Sequence, residues 1–265
     1  MERQCQDMFL FLVALALLFS GALLIYMYKL ANQNNILEQS LAFPDFPASF
    51  GKVTIFFISD IHKRTISTDF INRVNKKVDF VIIGGDLTEK NVPMERVREN
   101  IKQLKKLGLV FFVWGNNDYE VNFHELDSLL LQHGVKILDN SSYLFESETG
   151  DKLEVIGVDD LLQNRDRLDI AFENTSKISF KILVSHYPQI VERLNDTHSV
   201  SLVLTGHTHG GQIRIFGFGP YEKGGITHLS NTTLLVSNGY GTSIVPLRLG
   251  AAPETHLITI TTNNA

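Results

Sequence analysis

Polar side chains that can bind metal ions recur along this chain, each shortly after an apolar run. Two are aspartates, one is an asparagine and four are histidines: Asp60, His62, Asp86, Asn116, His186, His207 and His209. The set supplies nitrogen and oxygen ligands but no thiolate, which is too many for one tetrahedral ion and suits two ions sharing a carboxylate. Imidazole with hard oxygen fits Mn, Fe or Zn, and the residue types do not choose among them.

Two neighbouring divalent ions indicate a particular chemistry. At about 3.5–4 Å apart they can share a hydroxide, lower its pKa and hold a phosphoryl group for in-line attack. Taken singly, the motifs D-x-H at Asp60, G-G-D at Asp86 and G-N-N-D at Asn116 are ordinary turns. The G-H-T-H-G run at His207 and His209 is less usual for a structural loop. All the motifs together, in this order, predict a phosphohydrolase.

The elements that must position these residues are short strands alternating with amphipathic helices. Strands are predicted at Val53–Ser59, Phe80–Ile83, Leu109–Trp114, Leu153–Val158, Lys181–Ser185, Leu202–Thr205, Leu234–Ser237 and His256–Thr261. Helices are predicted at Val92–Leu107 and Asn122–Gln132, where apolar residues follow helical spacing. The spacing predicts an α/β start and a more antiparallel end. Because the carboxyl ends of neighbouring strands meet in one crevice, the polar residues are expected to converge.

The N-terminus predicts a membrane anchor. Residues 8–28 carry no charge, and at about 1.5 Å per residue they form a helix about 31 Å long, enough to cross a bilayer core. An uncleaved single-pass anchor over 1–28 is favoured, and a cleaved signal peptide is the alternative. Residues 29–50 are predicted to be a linker and 51–265 a single domain. Since residues 30–51 lack Lys and Arg, the domain is expected on the extracytoplasmic face.

The amino-acid composition argues against several classes of partner and site. The chain has 265 residues, with 24 Lys and Arg against 29 Asp and Glu, for a net charge of −5. This balance disfavours a nucleic-acid partner. A single cysteine, Cys5, excludes an intrachain disulfide framework and a thiolate zinc site.

The ordered motifs D-x-H, G-G-D, G-N-x-D, a lone strand-end His and G-H-x-H resemble the calcineurin-like metallophosphoesterase superfamily from about Ile55 onward. The tail Ser237–Arg248, followed by Pro253 and Glu254, resembles the membrane-anchored bacterial branch that includes proteins similar to UDP-2,3-diacylglucosamine pyrophosphatases. The resemblance implies a four-layer α/β/β/α sandwich with a binuclear site.

The resemblance also implies which residues bind which ion. One metal would take Asp60, His62 and His209. The other would take Asn116, His186 and His207, and Asp86 would bridge the two.

One position departs from the family pattern, which usually reads G-N-H-D/E. Here Asn117 replaces the histidine that contacts phosphate and helps protonate the leaving group. Asparagine donates hydrogen bonds but cannot deliver a proton near neutral pH. We therefore expect a preference for pyrophosphate bonds over alkyl esters, unless His124 or His133 supplies the proton.

The residues beside the ligands carry further expectations. Asn117 and Asp118 are candidate catalytic residues, and Asp118 can also orient the site from behind the ligands. Lys63 and Arg64 are candidate substrate-binding residues, because a cation beside the ligands suits an anionic substrate.

These observations predict a membrane-anchored, metal-dependent phosphohydrolase that cleaves a phosphodiester or pyrophosphate bond in a lipid-linked or envelope phosphate compound. No obligate protein partner is evident. The first alternative is a metal-binding but weakly active or inactive protein that binds phospho-ligands or partners. The second, a nucleic-acid phosphodiesterase with the same site, is disfavoured by the acidic balance and the anchor.

Overall fold

The computed structural model describes residues 2–262, which form an N-terminal helix followed by an α/β domain. The strands in chain order are β1 (Ile36–Phe43), β2 (Lys52–Ile58), β3 (Phe80–Gly84), β4 (Leu109–Val113), β5 (Lys136–Ile137), β6 (Ser141–Glu146), β7 (Lys152–Gly157), β8 (Phe180–Val184), β9 (Leu202–Thr205), β10 (Gly225–His228), β11 (Thr233–Val236) and β12 (Thr255–Thr262). The helices are α1 (Glu2–Ala31), α2 (Thr68–Asn72), α3 (Met94–Leu104), α4 (Phe123–Gln132) and α5 (Leu168–Phe172).

Helix α1 is the predicted membrane anchor. Its segment Arg3–Ala31 has a mean hydropathy of 2.8 in its most apolar window, so it is long and apolar enough to span a membrane. Most of its apolar side chains are exposed, which suits contact with lipid. Only its last turns pack on the domain, where Met27, Leu30 and Ala31 are buried.

The strands form two six-stranded sheets. The first has the order β1-β12-β2-β3-β4-β5, and β2 to β5 run parallel. The second has the order β10-β11-β9-β8-β7-β6, and its four central strands are parallel. Antiparallel pairing in this second sheet is limited to its edges, β6 with β7 and β10 with β11. The expected antiparallel end is therefore only partly present, because most late strands are joined by crossovers rather than hairpins.

The two sheets pack face to face and are covered on their outer faces. Aromatic and branched side chains, among them Phe57, Phe80, Phe111 and Phe180, fill the space between the sheets. Helices α2, α3 and α4 cover the first sheet, and α5 with the 3₁₀ segment Pro188–Arg193 covers the second. The four-layer α/β/β/α arrangement is confirmed.

Residues 29–50 differ from the predicted linker. Ile36–Phe43 forms strand β1 and pairs in parallel with β12 along its whole length. Leu41, Phe43 and Phe46 are buried, so this segment contributes to the core between the sheets. The polar residues and prolines around the strand obscured it, and its pairing partner lies at the other end of the chain.

Candidate metal centre

The carboxyl ends of five strands bring the candidate ligands together. Asp60 and His62 follow β2, Asp86 follows β3, and Asn116 follows β4 in the first sheet. In the second sheet His186 follows β8, and His207 and His209 follow β9. Since the sheets face each other, these ends form two walls of a single cleft.

The first group of possible metal ligands is Asp60, His62 and His209, all buried. His62 Nε2 lies 3.1 Å from His209 Nε2, and His209 Nε2 lies 3.3 Å from Asp60 Oδ1. Their ligand atoms all lie within 4.8 Å of one another. The group therefore combines two imidazole nitrogens and one carboxylate oxygen around a small volume.

The second group is Asp60, Asp86 and His186, and it adjoins the first. Asp86 Oδ2 lies 3.2 Å from His186 Nε2 and 3.7 Å from His62 Nε2, so this carboxylate lies between the two groups. His186 Nδ1 lies 2.9 Å from Gly84 O. When Nδ1–H donates to that carbonyl, the Nε2 lone pair faces the cleft and is free to bind a metal.

Asn116 and His207 extend the second group. His207 Nδ1 lies 3.3 Å from His186 Nε2. The Tyr187 hydroxyl donates to Asn116 Oδ1 over 2.8 Å, and Asn116 Nδ2 donates to Asn117 Oδ1 over 3.0 Å. The Asn116 amide is thus oriented by its neighbours, with Tyr187 contacting the oxygen that would act as a ligand.

Backbone conformation distinguishes these residues from ordinary turns. Five of the candidate ligands have φ between 51° and 68°, a left-handed conformation that non-glycine residues seldom adopt: Asp60, His62, Asp86, His207 and His209. Such conformations cost about 1–3 kcal/mol each and persist where the surroundings enforce them, often at functional sites. The concentration of strain supports a functional interpretation of this cleft.

Two glycines make room for the carboxylates. A Cβ atom on Gly115 would lie 2.3 Å from Asp86 Oδ1, and one on Gly206 would lie 2.5 Å from Asp60 Oδ2. Both distances are shorter than non-bonded contacts allow, so a side chain at either position would displace a candidate ligand.

A family model described as calcineurin-like phosphoesterase matches residues 53–211, which include every candidate ligand. The chain belongs to this family. It is therefore a phosphoesterase of a family that uses divalent metal ions.

Individual relatives are similar to this chain over most of its length. The chain is 45% identical to the Bacillus subtilis (strain 168) protein YpbG over 247 residues, which are 91% of this chain and 93% of that protein. It is 30% identical to a Helicobacter pylori (strain J99) metallophosphoesterase, over 77% of this chain and 58% of the relative. It is 28% identical to a Danio rerio transmembrane protein with a metallophosphoesterase domain, over 91% of this chain and 60% of the relative. The chain thus spans a little over half the length of the last two.

The charges in the phosphoesterase cleft suit divalent cations. Asp60 and Asp86 are buried, and within residues 2–262 their ionic contacts are all to imidazoles. Burial lowers the pKa of His186, but the Asp86 and Asp60 carboxylates outweigh it and raise that pKa to about 10. The two buried carboxylates are therefore stabilised by a positive charge nearby. A bound metal cation would supply that charge in place of the proton on His186. The donor set and its charge fit the metals that the family uses.

The structure separates the two candidate catalytic residues. The backbone N–H of Asn117 donates to Asp86 Oδ1 over 2.8 Å, and the partly exposed Asn117 side chain contacts Asn116. Asp118 is fully buried and accepts from the backbone N–H groups of Thr88 and Gly115. Burial, followed by the nearby Asp86, raises the pKa of Asp118 to about 7. Asp118 thus joins the two loops that carry Asp86 and Asn116.

The predicted substrate-binding cations are engaged elsewhere. The Arg64 guanidinium donates to the carbonyl oxygens of Asn32, Gln33 and Tyr240 and to Asn34 Oδ1. Arg64 therefore ties the D-x-H turn to the segment that follows α1, with both of its terminal NH2 groups engaged in hydrogen bonds. Lys63 Nζ lies 2.5 Å from Glu89 Oε1, although its side chain is 58% exposed.

The sequence did not identify Glu89 or Tyr187, and it left two interpretations of Arg248 open, a contact with phosphate or a pair with Glu254. Glu89 Oε2 lies 3.0 Å from His62 Nδ1, and its side chain is 11% exposed. Arg248 is fully buried and its Nη1 donates to the His209 carbonyl oxygen over 3.1 Å. The position of Glu89 directly after G-G-D-L-T was a usable signal for a ligand-orienting carboxylate, but nothing local indicated its partner.

Replacing Glu89 with glutamine is expected to weaken Mn²⁺ binding by about 10- to 100-fold, because a carboxylate behind a metal-ligating histidine fixes its orientation and raises its basicity. Isothermal titration of the metal-free full chain would measure this. The exposed Glu95, which pairs with Arg98, provides the matched variant Glu95→Gln. Equal affinity in the Glu89 and Glu95 variants would contradict the role given to Glu89.

Proposed function

We propose that this phosphoesterase uses two divalent ions to hydrolyse a phosphoanhydride bond in a lipid-linked or envelope compound. The observation that carries the proposal is the pair of adjoining ligand groups that share Asp60, with the Asp86 carboxylate between them. One ion would be held by Asp60, His62 and His209. The other would be held by Asn116, His186 and His207, and Asp86 would contact both.

The chain's own residues prepare this site for phosphoryl chemistry. Two divalent ions bound there would lower the pKa of a water and balance charge on the phosphoryl oxygens. Asp86 is held by the Asn117 backbone N–H, and His186 is oriented by the Gly84 carbonyl. Hydrolysis of the anhydride joins the water oxygen to phosphorus, breaks one P–O bond and releases two phosphate monoesters and a proton.

Asn117 supports an anhydride substrate. Its amide can donate a hydrogen bond to a phosphate oxygen but cannot transfer a proton to a leaving alkoxide. A phosphate monoester, whose second pKa is about 6, leaves an anhydride without that proton. The proposal assigns the proton to neither His124 nor His133: His124 is an exposed residue packed on Phe123, and His133 contacts the Leu129 carbonyl oxygen at the end of α4.

The helix α1 supports an envelope substrate. Anchoring the domain to a membrane raises its effective concentration beside compounds held at that surface. The positive-inside rule favours the extracytoplasmic face, because residues 30–51 lack Lys and Arg. The proposed activity requires no obligate protein partner.

The leaving-group preference is testable with the full chain in detergent and Mn²⁺. CDP-glycerol, an anhydride, is expected to react at least about 10²-fold faster than glycerophosphoethanolamine, a dialkyl ester, because general acid catalysis contributes about 10²–10⁴-fold. Asn117→His is expected to accelerate the dialkyl ester about tenfold or more while changing CDP-glycerol little. Bis(p-nitrophenyl) phosphate, whose leaving group needs no proton, serves as the reference substrate.

The outcomes separate the parts of the proposal. Equal rates for the anhydride and the dialkyl ester would overturn the anhydride preference. If none of the three compounds is hydrolysed although two metal ions are bound per chain, the proposed hydrolase activity would be overturned. A protein that binds phospho-ligands would then be favoured.

A further inference from the structure

Two loops expose a cluster of large apolar side chains beside the cleft. We name it the 215/244 patch, and its members are Ile215, Phe216, Phe218, Ile244 and Val245. Phe216 is 97% exposed and Ile244 93%, which makes them the most exposed large apolar side chains in residues 2–262. Exposed apolar patches commonly mark an interaction surface.

The two loops of the 215/244 patch are held in a defined arrangement. The Gln212 amide donates to the carbonyl oxygens of Ser243 and Val245 and accepts from the Ser243 N–H. The Arg214 guanidinium donates to carbonyl oxygens within its own loop, including that of Gly217. The patch is therefore built into the fold.

The 215/244 patch is continuous with the end of helix α1. The backbone N–H of Arg248 donates to the Met27 carbonyl oxygen over 3.2 Å, and the backbone N–H of Arg214 donates to the Leu249 carbonyl oxygen. A cavity of about 650 Å³ is lined by Tyr28 and Ala31 from the helix and by Ile244 and Val245 from the patch. The loop that carries Ile244 and Val245 thus meets the membrane-spanning helix at its last turns, and the loop of Ile215 and Phe216 is hydrogen-bonded to it.

The same patch borders the metal centre. Ile244 and Val245 also line a cavity of about 390 Å³ whose other walls include His207, His209 and Tyr221. A continuous surface therefore runs from the end of α1 through the 215/244 patch to two of the candidate ligands.

We propose that the 215/244 patch inserts into the bilayer that α1 spans, so that the metal cleft opens toward the lipid headgroups. The substrate class would then be an anhydride that carries a lipid chain and reaches the cleft from the bilayer. This inference rests on the proposed function for its substrate, but the insertion itself does not.

The position of the contact with α1 favours a bilayer over a protein partner. The charge-free run at residues 8–28 forms about 31 Å of helix, which matches the about 30 Å that a hydrocarbon core needs, and Met27 is its last residue but one. Met27 therefore lies near the boundary between hydrocarbon and headgroups, beside the exposed Tyr26 and Tyr28, which suit that boundary. The loop that contacts Met27 through the Arg248 backbone is therefore at the depth where apolar side chains meet lipid, and the loop of Phe216 is hydrogen-bonded beside it.

Site-specific quenching tests the insertion without reference to activity. Cys5 is the only cysteine, so Cys5→Ser provides a background for Phe216→Cys labelled with bimane in the full chain in nanodiscs. Nitroxides near the headgroup end of the lipid chains are expected to quench this label at least about threefold more than a control label at Ile178→Cys. Ile178 is 88% exposed but precedes β8, at the end of that strand opposite the cleft. Equal quenching at the two positions would overturn the proposal.

Substrate presentation provides the second measurement. Phe216→Ser combined with Phe218→Ser is expected to slow hydrolysis of nanodisc-borne CDP-diacylglycerol to CMP and phosphatidic acid about tenfold, and to leave soluble CDP-glycerol unchanged. An equal loss on both substrates would contradict presentation by the bilayer. If the unaltered chain hydrolyses neither compound, the proposed function fails, while the quenching result still decides whether the patch inserts.

Discussion

Replacing Asp86 with asparagine is expected to lower hydrolysis of bis(p-nitrophenyl) phosphate by at least about 10³-fold in the presence of Mn²⁺. The change keeps the size of the side chain and leaves an oxygen to accept from the Asn117 N–H. It removes the negative charge that lies between His62 and His186. A shared carboxylate contributes to both ions, so its loss removes several kcal/mol of transition-state stabilisation, and about 1.4 kcal/mol corresponds to tenfold in rate.

Metal content and folding must be measured beside the rate of the Asp86 variant. We expect fewer than two Mn²⁺ ions per chain by mass spectrometric metal analysis, with a near-normal thermal transition. Asp151→Asn is the matched variant, because Asp151 is an exposed turn residue between β6 and β7. If the Asp86 variant retained two ions and more than a third of the activity, Asp86 would not bridge the ions.

The candidate ligands could be predicted from the sequence because each lies in a short motif directly after a predicted strand. Asp60 and His62 are two residues apart, as are His207 and His209, so one strand-end turn brings each pair together. The general rule that parallel strands end at one crevice then assembles residues far apart in sequence. The strain at five of these positions was not visible in the sequence, since left-handed φ values result from tertiary contacts such as the Asp60 N–H to the Gly85 carbonyl.

The features that the sequence did not predict depend on partners distant along the chain. Strand β1 pairs with β12, more than two hundred residues away, and its own short polar pattern resembles a linker. Arg64 follows the metal motif and suggests substrate binding, yet its guanidinium contacts carbonyls near the end of α1. Composition could not distinguish these uses of a cation, because the identity of the acceptor is fixed only by the packed fold.

The contacts of Arg64 and Arg248 link the anchor to the metal centre. Arg64 joins the segment after α1 to the turn that carries Asp60 and His62. The backbone of Arg248 contacts Met27, while its guanidinium contacts the His209 carbonyl. The same residues therefore contact both the ligand loops and the end of α1, as the proposed orientation of the cleft toward the membrane requires.

Arg248→Met is expected to destabilise the domain by about 3–5 kcal/mol. The Arg248 side chain is fully buried, and its donors satisfy the carbonyl oxygens of His209, Asn238, Gly239, Gly241 and Ala251. Methionine fills much of the volume but donates no hydrogen bond, and each buried carbonyl left unsatisfied costs about 1–3 kcal/mol before relaxation. Thermal unfolding of the full chain in nanodiscs is expected to shift down by about 10 °C, since about 1 kcal/mol corresponds to 2–4 °C at this size.

Charge and hydrogen bonding can be separated with Arg248→Lys, which keeps the cation but offers fewer donors in another geometry. We expect the unfolding temperature of Arg248→Lys to lie between those of the unaltered chain and of Arg248→Met. Arg167→Met is the matched surface variant, because Arg167 is exposed and pairs with Asp169, and its replacement should change the unfolding temperature little. If Arg248→Met unfolded at the same temperature as Arg167→Met, the carbonyls around Arg248 would have other partners. The junction of α1 with the G-H-T-H-G loop would then not depend on this guanidinium.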